Sequence, residues 1–198
     1  MRQQASHGGD LLEEHETIAL ILGGDQSAFV ALMGRYKHMV HTITWRVLRN
    51  EMDAEEVTQD VFVKVYQRLG EFKGQGKFST WLYSIAFRMA ISALRSRKKP
   101  TGSLEELSAV GKEPASEMAN PIDERAAILE KALRTLSPED SAVMTMFYLE
   151  EFSVEEIVTV TGMGASNVKV KLHRCRKQLH GVLEQQLKGE TWTLMTSA

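Results

Sequence analysis

Apolar residues recur at steps of three and four along most of the chain, and no segment alternates with the period of two typical of a half-buried strand. The pattern is clearest in residues 77–99, KFSTWLYSIAFRMAISALRSRKK, where the face opposite the apolar stripe carries Ser84, Arg88, Ser92 and Arg95. Two earlier segments repeat it, with apolar residues at Phe29, Leu32, Tyr36, Val40, Ile43 and Val47, and at Val57, Val61, Phe62, Val65, Tyr66 and Leu69. We therefore predict an all-α protein.

A sharp change of composition after residue 99 divides the predicted helices into two small domains. Residues 100–121 are rich in Pro, Gly, Ser and acids and have no sustained periodicity, which indicates a flexible linker. The predicted organisation is a tail with a short helix (1–24), a first helical domain (25–99), this linker, a second helical domain (122–188) and a C-terminal tail (189–198).

Polar side chains that cap helix N-termini indicate where the helices of the first domain begin. Asp25 or Ser27 is expected to cap the long helix, because each offers an oxygen to the free N–H groups of the first turn. Asp53, with Glu56 three residues later, resembles a capping box and is expected to start the next helix. Ser79 is expected to cap the helix that ends in a basic run.

A glycine-hinged loop, FKGQGKF over residues 72–78, places lysines between aromatic residues just before that helix. Aromatic rings beside cations form a platform on which unpaired bases stack while phosphates are held. The alternative is an ordinary basic helix end with Trp81 in the core, and for Trp81 alone we favour that alternative. For the loop and helix together we predict a nucleic-acid surface. Its candidate residues are Lys73, Lys77, Phe78, Trp81, Ser84, Arg88, Ser92 and Arg95.

The second domain shows a helix-turn-helix pattern, in which a short helix, a glycine turn and a longer helix follow one another. Ser137, followed by proline, is a strong start signal for a preceding helix. Ser153 with Glu156 forms a capping box at the short helix, and Gly162 ends that helix. The last helix is expected over residues 165 to about 187, followed by a frayed tail.

The last helix has the polarity expected of a DNA-reading element. An inward stripe of Val168, Leu172, Cys175, Leu179 and Val182 leaves an outer surface without acids. A helix in the major groove needs short polar groups at its N-terminal end and cations along its flanks. The alternative is a solvated basic helix in a bundle, but the turn and the caps favour DNA binding. The candidate contacts are Ser166, Asn167, Lys169, Val170, Lys171, His173, Arg174, Arg176 and Lys177.

Bulk composition narrows the class of protein. The chain has 198 residues, of which 43% are hydrophobic and 25% charged, as in ordinary soluble globular proteins. The formal net charge of -2 means that any surface for a polyanion is local. The single cysteine, Cys175, excludes an internal disulfide, and its inward position favours core packing over a metal or redox role.

Several classes of function are not expected. The N-terminus lacks the apolar core of a secretion signal and no apolar run is long enough for a bilayer, so we expect a cytoplasmic protein without membrane contact. The histidines are scattered, and no phosphate-binding glycine loop is present. We therefore expect no catalytic residues, metal, cofactor or small-molecule substrate.

Three stretches, together with the predicted linker between the second and third, resemble the extracytoplasmic-function (ECF) subfamily of sigma-70 factors of bacterial RNA polymerase. Residues 53–74, DAEEVTQDVFVKVYQRLGEFKG, resemble region 2.2 and the start of 2.3, and residues 77–99 resemble the rest of 2.3 and 2.4. Residues 136–179, LSPEDSAVMTMFYLEEFSVEEIVTVTGMGASNVKVKLHRCRKQL, are similar to region 4. The order and spacing of these stretches are far more specific than a helix-turn-helix alone.

The resemblance implies a partner for each surface. Region 2.2 would dock on the clamp helices of the polymerase β′ subunit, the following stretch would capture the non-template strand of the −10 element, and region 4 would read the −35 duplex and rest on the β flap. Most relatives are held by an anti-sigma factor. The expected partners are thus core RNA polymerase, promoter DNA and an anti-sigma factor. The implied core-polymerase contacts are Asp53, Gln59, Asp60, Val63, Lys64 and Gln67.

Four residues depart from the family pattern. Arg88 stands where asparagine is frequent, Ser92 where aspartate or asparagine is frequent, and Lys169 and Lys171 where arginine is common. A long cation in place of a small amide moves the contact from a base toward a phosphate. Lysine also lacks the planar guanidinium with which arginine donates two parallel hydrogen bonds to guanine.

Two other functions remain as alternatives. A stand-alone helix-turn-helix regulator would normally dimerise on a palindrome, but no unused apolar helix or heptad seam offers a dimer interface. A helical scaffold that binds only protein is the second alternative. Binding to core polymerase would separate all three interpretations.

Overall fold

The computed structural model describes residues 7–97 and 121–196, with side chains described over 13–97 and 126–185. The predicted linker lies almost entirely outside these ranges, as does the start of the N-terminal tail. All regular structure in the two described ranges is helical, which confirms the all-α prediction. The helices are α1 (His7–Leu22), α2 (Gln26–Leu48), α3 (Glu51–Arg68), α4 (Phe78–Arg97), α5 (Pro121–Arg134), α6 (Pro138–Tyr148), α7 (Val154–Thr161) and α8 (Ala165–Thr196).

The first domain is a packed group of α2, α3 and α4, with α1 against α2. The predicted apolar stripes form its core, and Val40, Ile43, Val61, Val65 and Leu82 are completely shielded from solvent. Such burial is the main favourable contribution to folding, because it removes apolar surface from water. Tyr66 departs from the prediction, since it is exposed on the outside of α3.

Observed caps confirm one predicted helix start and correct two others. Asp25 caps α2, and its carboxylate accepts hydrogen bonds from the N–H groups of residues 27 and 28. Asn50, not Asp53, caps α3, because its side-chain oxygen accepts the Asp53 N–H at 3.1 Å. Asp53 instead forms an ion pair with Arg97 at the end of α4. Helix α4 begins one residue before Ser79, so Ser79 is not its N-cap.

The second domain comprises α5 to α8 and begins as the local signals predict. Ser137 caps α6 with proline at the first helical position, and Ser153 and Glu156 form a reciprocal capping box on α7. Gly162 ends α7 in the left-handed conformation, with φ 74°. Helix α8 continues to Thr196, beyond the end predicted near residue 187.

Helix α4 is buried on two sides because the second domain rests on the first. Its predicted apolar stripe faces α2 and α3, while its other side packs against α7. Tyr83 of α4 is fully buried there, and its ring lies 5.0 Å from that of Phe152, just before α7. A second contact joins the end of α2 to α5 through an ion pair between Arg46 and Glu130. The sequence pattern predicts two domains but not this contact between them.

Candidate nucleic-acid interface

A cleft of about 590 Å³ lies between the glycine-hinged loop, α4 and the first turns of α7. Three of the four cations predicted for the loop and α4, namely Lys73, Lys77 and Arg88, line it. Arg68, at the end of α3, also lines the cleft and was missed by the sequence analysis because it lies before the glycine loop. The lining residues are Arg68, Glu71, Phe72, Lys73, Gln75, Gly76, Lys77, Thr80, Trp81, Ser84, Ile85, Arg88, Glu155, Glu156 and Thr159.

An aromatic cluster forms the floor of the cleft and anchors the loop. The rings of Phe72, Phe78 and Trp81 lie 5.4 to 5.6 Å from one another, and Phe78 also contacts Tyr36 of α2 at 5.4 Å. Phe78 is only 1% exposed, so the structure corrects its expected place on the binding surface: it is a core anchor. Trp81 is half-buried and presents part of its ring to the cleft.

The polar positions of α4 divide into three environments. Ser84 was expected on an outer face but is buried, because α7 covers that side, and its hydroxyl donates to the Trp81 carbonyl at 2.7 Å. Arg88 is exposed and lines the cleft. Ser92 and Arg95 are exposed farther along α4 and lie outside the cleft. The structure therefore brings together five of the eight predicted residues: Lys73, Lys77, Trp81, Ser84 and Arg88.

The loop backbone depends on glycine at two positions. Gly74 and Gly76 have φ of 68° and 116°, in the region that side chains disfavour. The His15 ring of α1 stacks on Phe72, with centroids 6.2 Å apart, and lies so close to Gly74 that an added Cβ would be 2.8 Å from its Nε2. The sequence gives no local signal for this contact, because His15 is distant along the chain.

Gly74→Ala is expected to destabilise the loop, since a left-handed alanine costs about 1–2 kcal/mol and the new methyl group must displace His15. Thermal unfolding of the purified protein measures the loss. Gly34→Ala is the matched control, because Gly34 is helical with open space around it, and there alanine should stabilise by up to about 1 kcal/mol. Equal effects of the two substitutions would contradict the proposed backbone constraint.

Two acids from the second domain, Glu155 and Glu156, line the cleft, and Glu156 makes direct contacts with the first domain. The Glu156 carboxylate accepts a hydrogen bond from the Thr80 hydroxyl at 3.2 Å and pairs with the Lys77 ammonium at 3.0 Å. Burial alone would raise the pKa of Glu156, but hydrogen bonds from Ser153 and Lys77 lower it overall, so the carboxylate is ionised at neutral pH. The cleft is therefore cationic on the side of the first domain and acidic on the side of the second.

The helix-turn-helix presents the start of α8 to solvent. Buried Val168, Leu172, Cys175 and Leu179 attach α8 to its domain, as the inward stripe predicts. Lys171 differs from the other predicted contacts, because it is half-buried and pairs with Asp140 at 2.5 Å and Glu139 at 3.6 Å. The predicted contacts that are exposed are Ser166, Asn167, Lys169, Val170, His173, Arg174, Arg176 and Lys177.

An apolar groove of about 550 Å³ runs between α2 and α3 on another side of the first domain. Three of the six residues implied for polymerase contact line this groove: Gln59, Val63 and Gln67. Val63 is 56% exposed, which is unusual for an apolar side chain in a helix that also supplies core residues. The opposite wall, missed by the sequence analysis, comes mainly from α2. The lining residues are Gln26, Phe29, Val30, Met33, Gln59, Phe62, Val63, Tyr66 and Gln67.

The remaining implied polymerase contacts lie outside the groove. Asp60 and Lys64 are exposed on the same helix, whereas Asp53 is half-buried in its ion pair with Arg97. A second apolar cleft, of about 390 Å³, lies on the second domain between α5, α6 and α8, where Leu129, Tyr148 and Leu149 are exposed. Arg176 lies at this cleft.

None of the helices in the part of the chain that the structure describes is long and apolar enough to cross a bilayer. Within the same residues, no group of at least three His, Cys, Asp or Glu side chains is placed to hold a metal ion. The described residues form a cationic cleft, a helix-turn-helix and two apolar grooves.

Comparison with known proteins identifies the class. Residues 32–99 match the family model for Sigma-70 region 2, and residues 126–179 match that for Sigma-70, region 4. The chain is 30% identical over 174 residues to the ECF RNA polymerase sigma factor SigW of Bacillus subtilis, covering 79% of this chain and 89% of the relative. It is 28% identical over 178 residues to the ECF RNA polymerase sigma-E factor of Escherichia coli K12, covering 85% and 93% respectively.

Two solved structures share the fold. CnrH, in complex with the cytosolic domain of CnrY, superposes with a TM-score of 0.62 at 20% identity, covering 85% of this chain and 96% of that one. The sigma factor RpoE from Bartonella quintana, in complex with the anti-sigma factor NepR, superposes with a TM-score of 0.64 at 19% identity, covering 79% of this chain and 96% of that one. The chain belongs to the ECF sigma factors of the sigma-70 family, and so to a class of DNA-binding transcription initiation factors that are not enzymes.

Proposed function

We propose that this sigma factor binds core RNA polymerase, reads the −35 element with its helix-turn-helix and captures the melted non-template strand of the −10 element in the cationic cleft. The observation that carries the proposal is the cleft itself, which Lys73, Lys77 and Arg88 line together with the half-buried Trp81. Cations over an aromatic surface suit a single strand, because the phosphates and the unstacked bases both find partners.

The loop backbone supports strand capture. Gly76 has open space where a side chain would lie, so a strand is able to approach the peptide groups closely there, whereas His15 covers the corresponding side of Gly74. Anchoring by Phe72 and Phe78 holds this backbone in place before a strand arrives. A preorganised loop loses little conformational freedom on binding, which favours affinity.

The start of α8 supports duplex recognition at the −35 element. Ser166 and Asn167 are exposed at its N-terminal end, where a recognition helix approaches base edges, while Lys169 and Arg174 are exposed beside them. The cations position the helix on phosphates, and the short polar groups are near enough to read bases. Arg176 lies at the apolar cleft instead, so we assign it to the edge of the DNA surface.

The apolar groove between α2 and α3 suits the clamp helices of the β′ subunit. A partner helix in this groove would cover Val30, Val63 and Tyr66, which water now contacts, and the rim glutamines would supply hydrogen bonds. The apolar cleft of the second domain is the corresponding candidate for the β flap. An anti-sigma partner is supported by the structural neighbour RpoE, which was solved in complex with the anti-sigma factor NepR.

Lys169→Ala and Lys171→Ala are expected to act on different properties. Lys169 is exposed, so its loss should weaken binding to all duplex sequences alike. The slope of log affinity against log salt concentration should also become less steep by about 1, because one phosphate contact is lost. Lys171 pairs with Asp140 and Glu139, whose charges raise its pKa despite burial, so its loss should lower the unfolding free energy by roughly 1 kcal/mol. Fluorescence anisotropy at several salt concentrations and thermal unfolding check the two effects. The opposite pattern would reverse the roles assigned to these lysines.

Transcription from a cognate promoter with purified core polymerase tests the proposed function. We expect the chain to support initiation with core and to bind promoter DNA weakly by itself, because its positive charge is divided between two modest surfaces on a chain of net charge -2. Tight, sequence-specific binding without core, and no competition for core, would instead establish the stand-alone regulator.

A further inference from the structure

We infer that His15 of α1 is a positioning residue for strand capture: its imidazole ring fixes the backbone on both sides of Lys73, so that the glycine-hinged loop is shaped before a strand arrives. The inference rests on the proposed function of the cationic cleft. His15 does not line that cleft, and α1 ends before residues 32–99, which match the region 2 family model. Helix α1 would otherwise have no part in the proposed function.

The first contact of His15 is with Phe72, the residue before Lys73. The rings of His15 and Phe72 are nearly parallel, with an angle of 22° and centroids 6.2 Å apart. Such an offset arrangement is favourable for two aromatic rings. Phe72 in turn lies 5.4 Å from Phe78 and 5.6 Å from Trp81, so His15 extends the aromatic floor of the cleft by one ring from a different helix.

The second contact is with Gly74, the residue after Lys73. An added Cβ on Gly74 would lie 2.8 Å from Nε2, 3.6 Å from Cδ2 and 3.7 Å from Cε1 of His15, so the edge of the imidazole ring packs against the Gly74 backbone. Gly74 has φ 68°, and a glycine exchanges left-handed for right-handed conformations at little cost. The ring restricts this freedom, because it occupies space into which the backbone would otherwise shift.

Helix α1 is itself attached firmly to the first domain, so the His15 ring has a fixed place. Ile18, one turn farther along α1, is buried in the core. The adjacent Glu14 carboxylate accepts a hydrogen bond from the Tyr36 hydroxyl of α2, and the Tyr36 ring lies 5.4 Å from that of Phe78. Two consecutive residues of α1 therefore connect to the two ends of the loop, one directly and the other through Tyr36.

The consequence concerns the conformational freedom that strand binding removes. Without the ring, Gly74 and Gly76 would leave the segment that carries Lys73 free to adopt several backbone conformations. A strand would then have to order the loop as it binds, and this cost reduces affinity for the melted strand. Binding to core and to the −35 duplex use other surfaces under the proposed function, so neither should depend on His15.

A purely structural role of His15 predicts a different result. His15 is exposed, so its replacement should lower the melting temperature of the protein by less than about 4 °C. Alanine and glutamine are better helix formers than histidine, whereas phenylalanine is similar to it. If His15 only supported α1, alanine and glutamine would be harmless and phenylalanine would offer no advantage. A positioning ring predicts the reverse order.

Open-complex formation by holoenzyme on a cognate promoter distinguishes these roles. We expect His15→Ala and His15→Gln to slow the step from closed to open complex by about three- to tenfold, the range expected when a few side chains must be ordered on binding. The affinity of the closed complex should stay unchanged. His15→Phe should retain most of the opening rate, because it keeps a ring on Phe72.

Glu16→Ala is the matched control at the neighbouring exposed position of α1, and it should open promoters as the wild type does. Opening at the wild-type rate by His15→Ala, or equal losses for the three variants of His15, would overturn the inference.

A double-substitution cycle tests the contact itself in the full chain. Gly74→Ala must displace His15 in the otherwise unchanged protein, whereas in the His15→Ala background only the left-handed conformation remains unfavourable. The fall in melting temperature caused by Gly74→Ala should therefore be smaller when His15 has been replaced by alanine. Identical falls in the two backgrounds would show that the ring does not hold Gly74, and the inference would be wrong.

The proposed function has a separate readout. If holoenzyme carrying Lys73→Ala opens promoters as well as the wild type, the cleft does not capture the strand, and the positioning role is rejected with it. If Lys73→Ala slows opening while His15→Ala does not, the cleft functions as proposed and the role of His15 alone is rejected.

Discussion

Holoenzyme in which Lys73 and Lys77 are both changed to alanine is expected to bind duplex promoter but to open it at least about tenfold less efficiently. A base that leaves the duplex loses stacking worth a few kcal/mol, and binding in the cleft must offset this loss. Stacking on an aromatic side chain contributes about 1–3 kcal/mol per base, and each charge-assisted contact contributes about 1.5–3 kcal/mol. Removing both loop cations leaves the Trp81 surface with Arg88 as the one remaining cation of the three proposed to hold phosphates, so strand capture should be strongly impaired. Permanganate reactivity of unpaired thymines measures the open complex.

Lys73→Ala by itself is the control that separates strand capture from a change in the contact between the domains. Lys77 pairs with Glu156, so its removal also weakens the contact between the domains, whereas Lys73 is exposed on the loop. We expect Lys73→Ala to reduce promoter opening without changing the contact between the two domains. A promoter already mismatched at the −10 element should recover only part of the loss, because capture is impaired as well as melting. Wild-type thymine reactivity in the double variant would exclude this loop.

Local signals predict the second domain well because the forces that start and end its helices act within a few residues. The Ser153 capping box and the left-handed Gly162 are set by the N–H and C=O groups of one helix, and both lie where the sequence places them. The same reasoning misplaced the start of α3, since Asn50 and Asp53 both offer side-chain oxygens close to that N-terminus. Asn50 caps the helix, and Asp53 pairs with Arg97 of a distant helix.

Long-range contacts explain the residues that sequence reasoning misplaced. A helical period assigns α4 one buried face, but the second domain covers the opposite side and buries Ser84 and Tyr83. The position of His15 over Gly74 depends on how α1 packs, which no pattern within either segment records. The cleft is therefore predictable in its cations and its glycine loop, while its acidic wall is a consequence of how the domains pack.

Val63→Asp is expected to weaken binding to core polymerase by about thirtyfold or more while leaving the fold intact. Val63 is 56% exposed in the groove between α2 and α3, so an aspartate there should change stability by less than about 0.5 kcal/mol. In a complex it would bury a charge among Phe29, Phe62 and Tyr66, and central apolar contacts of interfaces commonly contribute 2 kcal/mol or more, which is about thirtyfold. Competition with a labelled wild-type sigma factor for core measures the loss.

Val170→Asp is the matched control, because this valine is 51% exposed on α8, in the surface assigned to DNA and not in the groove. It should compete for core as the wild type does, since the same charge is introduced at a similarly exposed position in the other domain.

Asp60→Arg tests the rim of the groove between α2 and α3. Asp60 is exposed beside this groove but does not line it, so reversing its charge should weaken binding to core less than Val63→Asp does. If Val63→Asp competes as well as Val170→Asp, the groove does not hold the clamp helices. If Asp60→Arg has the larger effect, the polymerase contact is mainly electrostatic and centred on the outer face of α3.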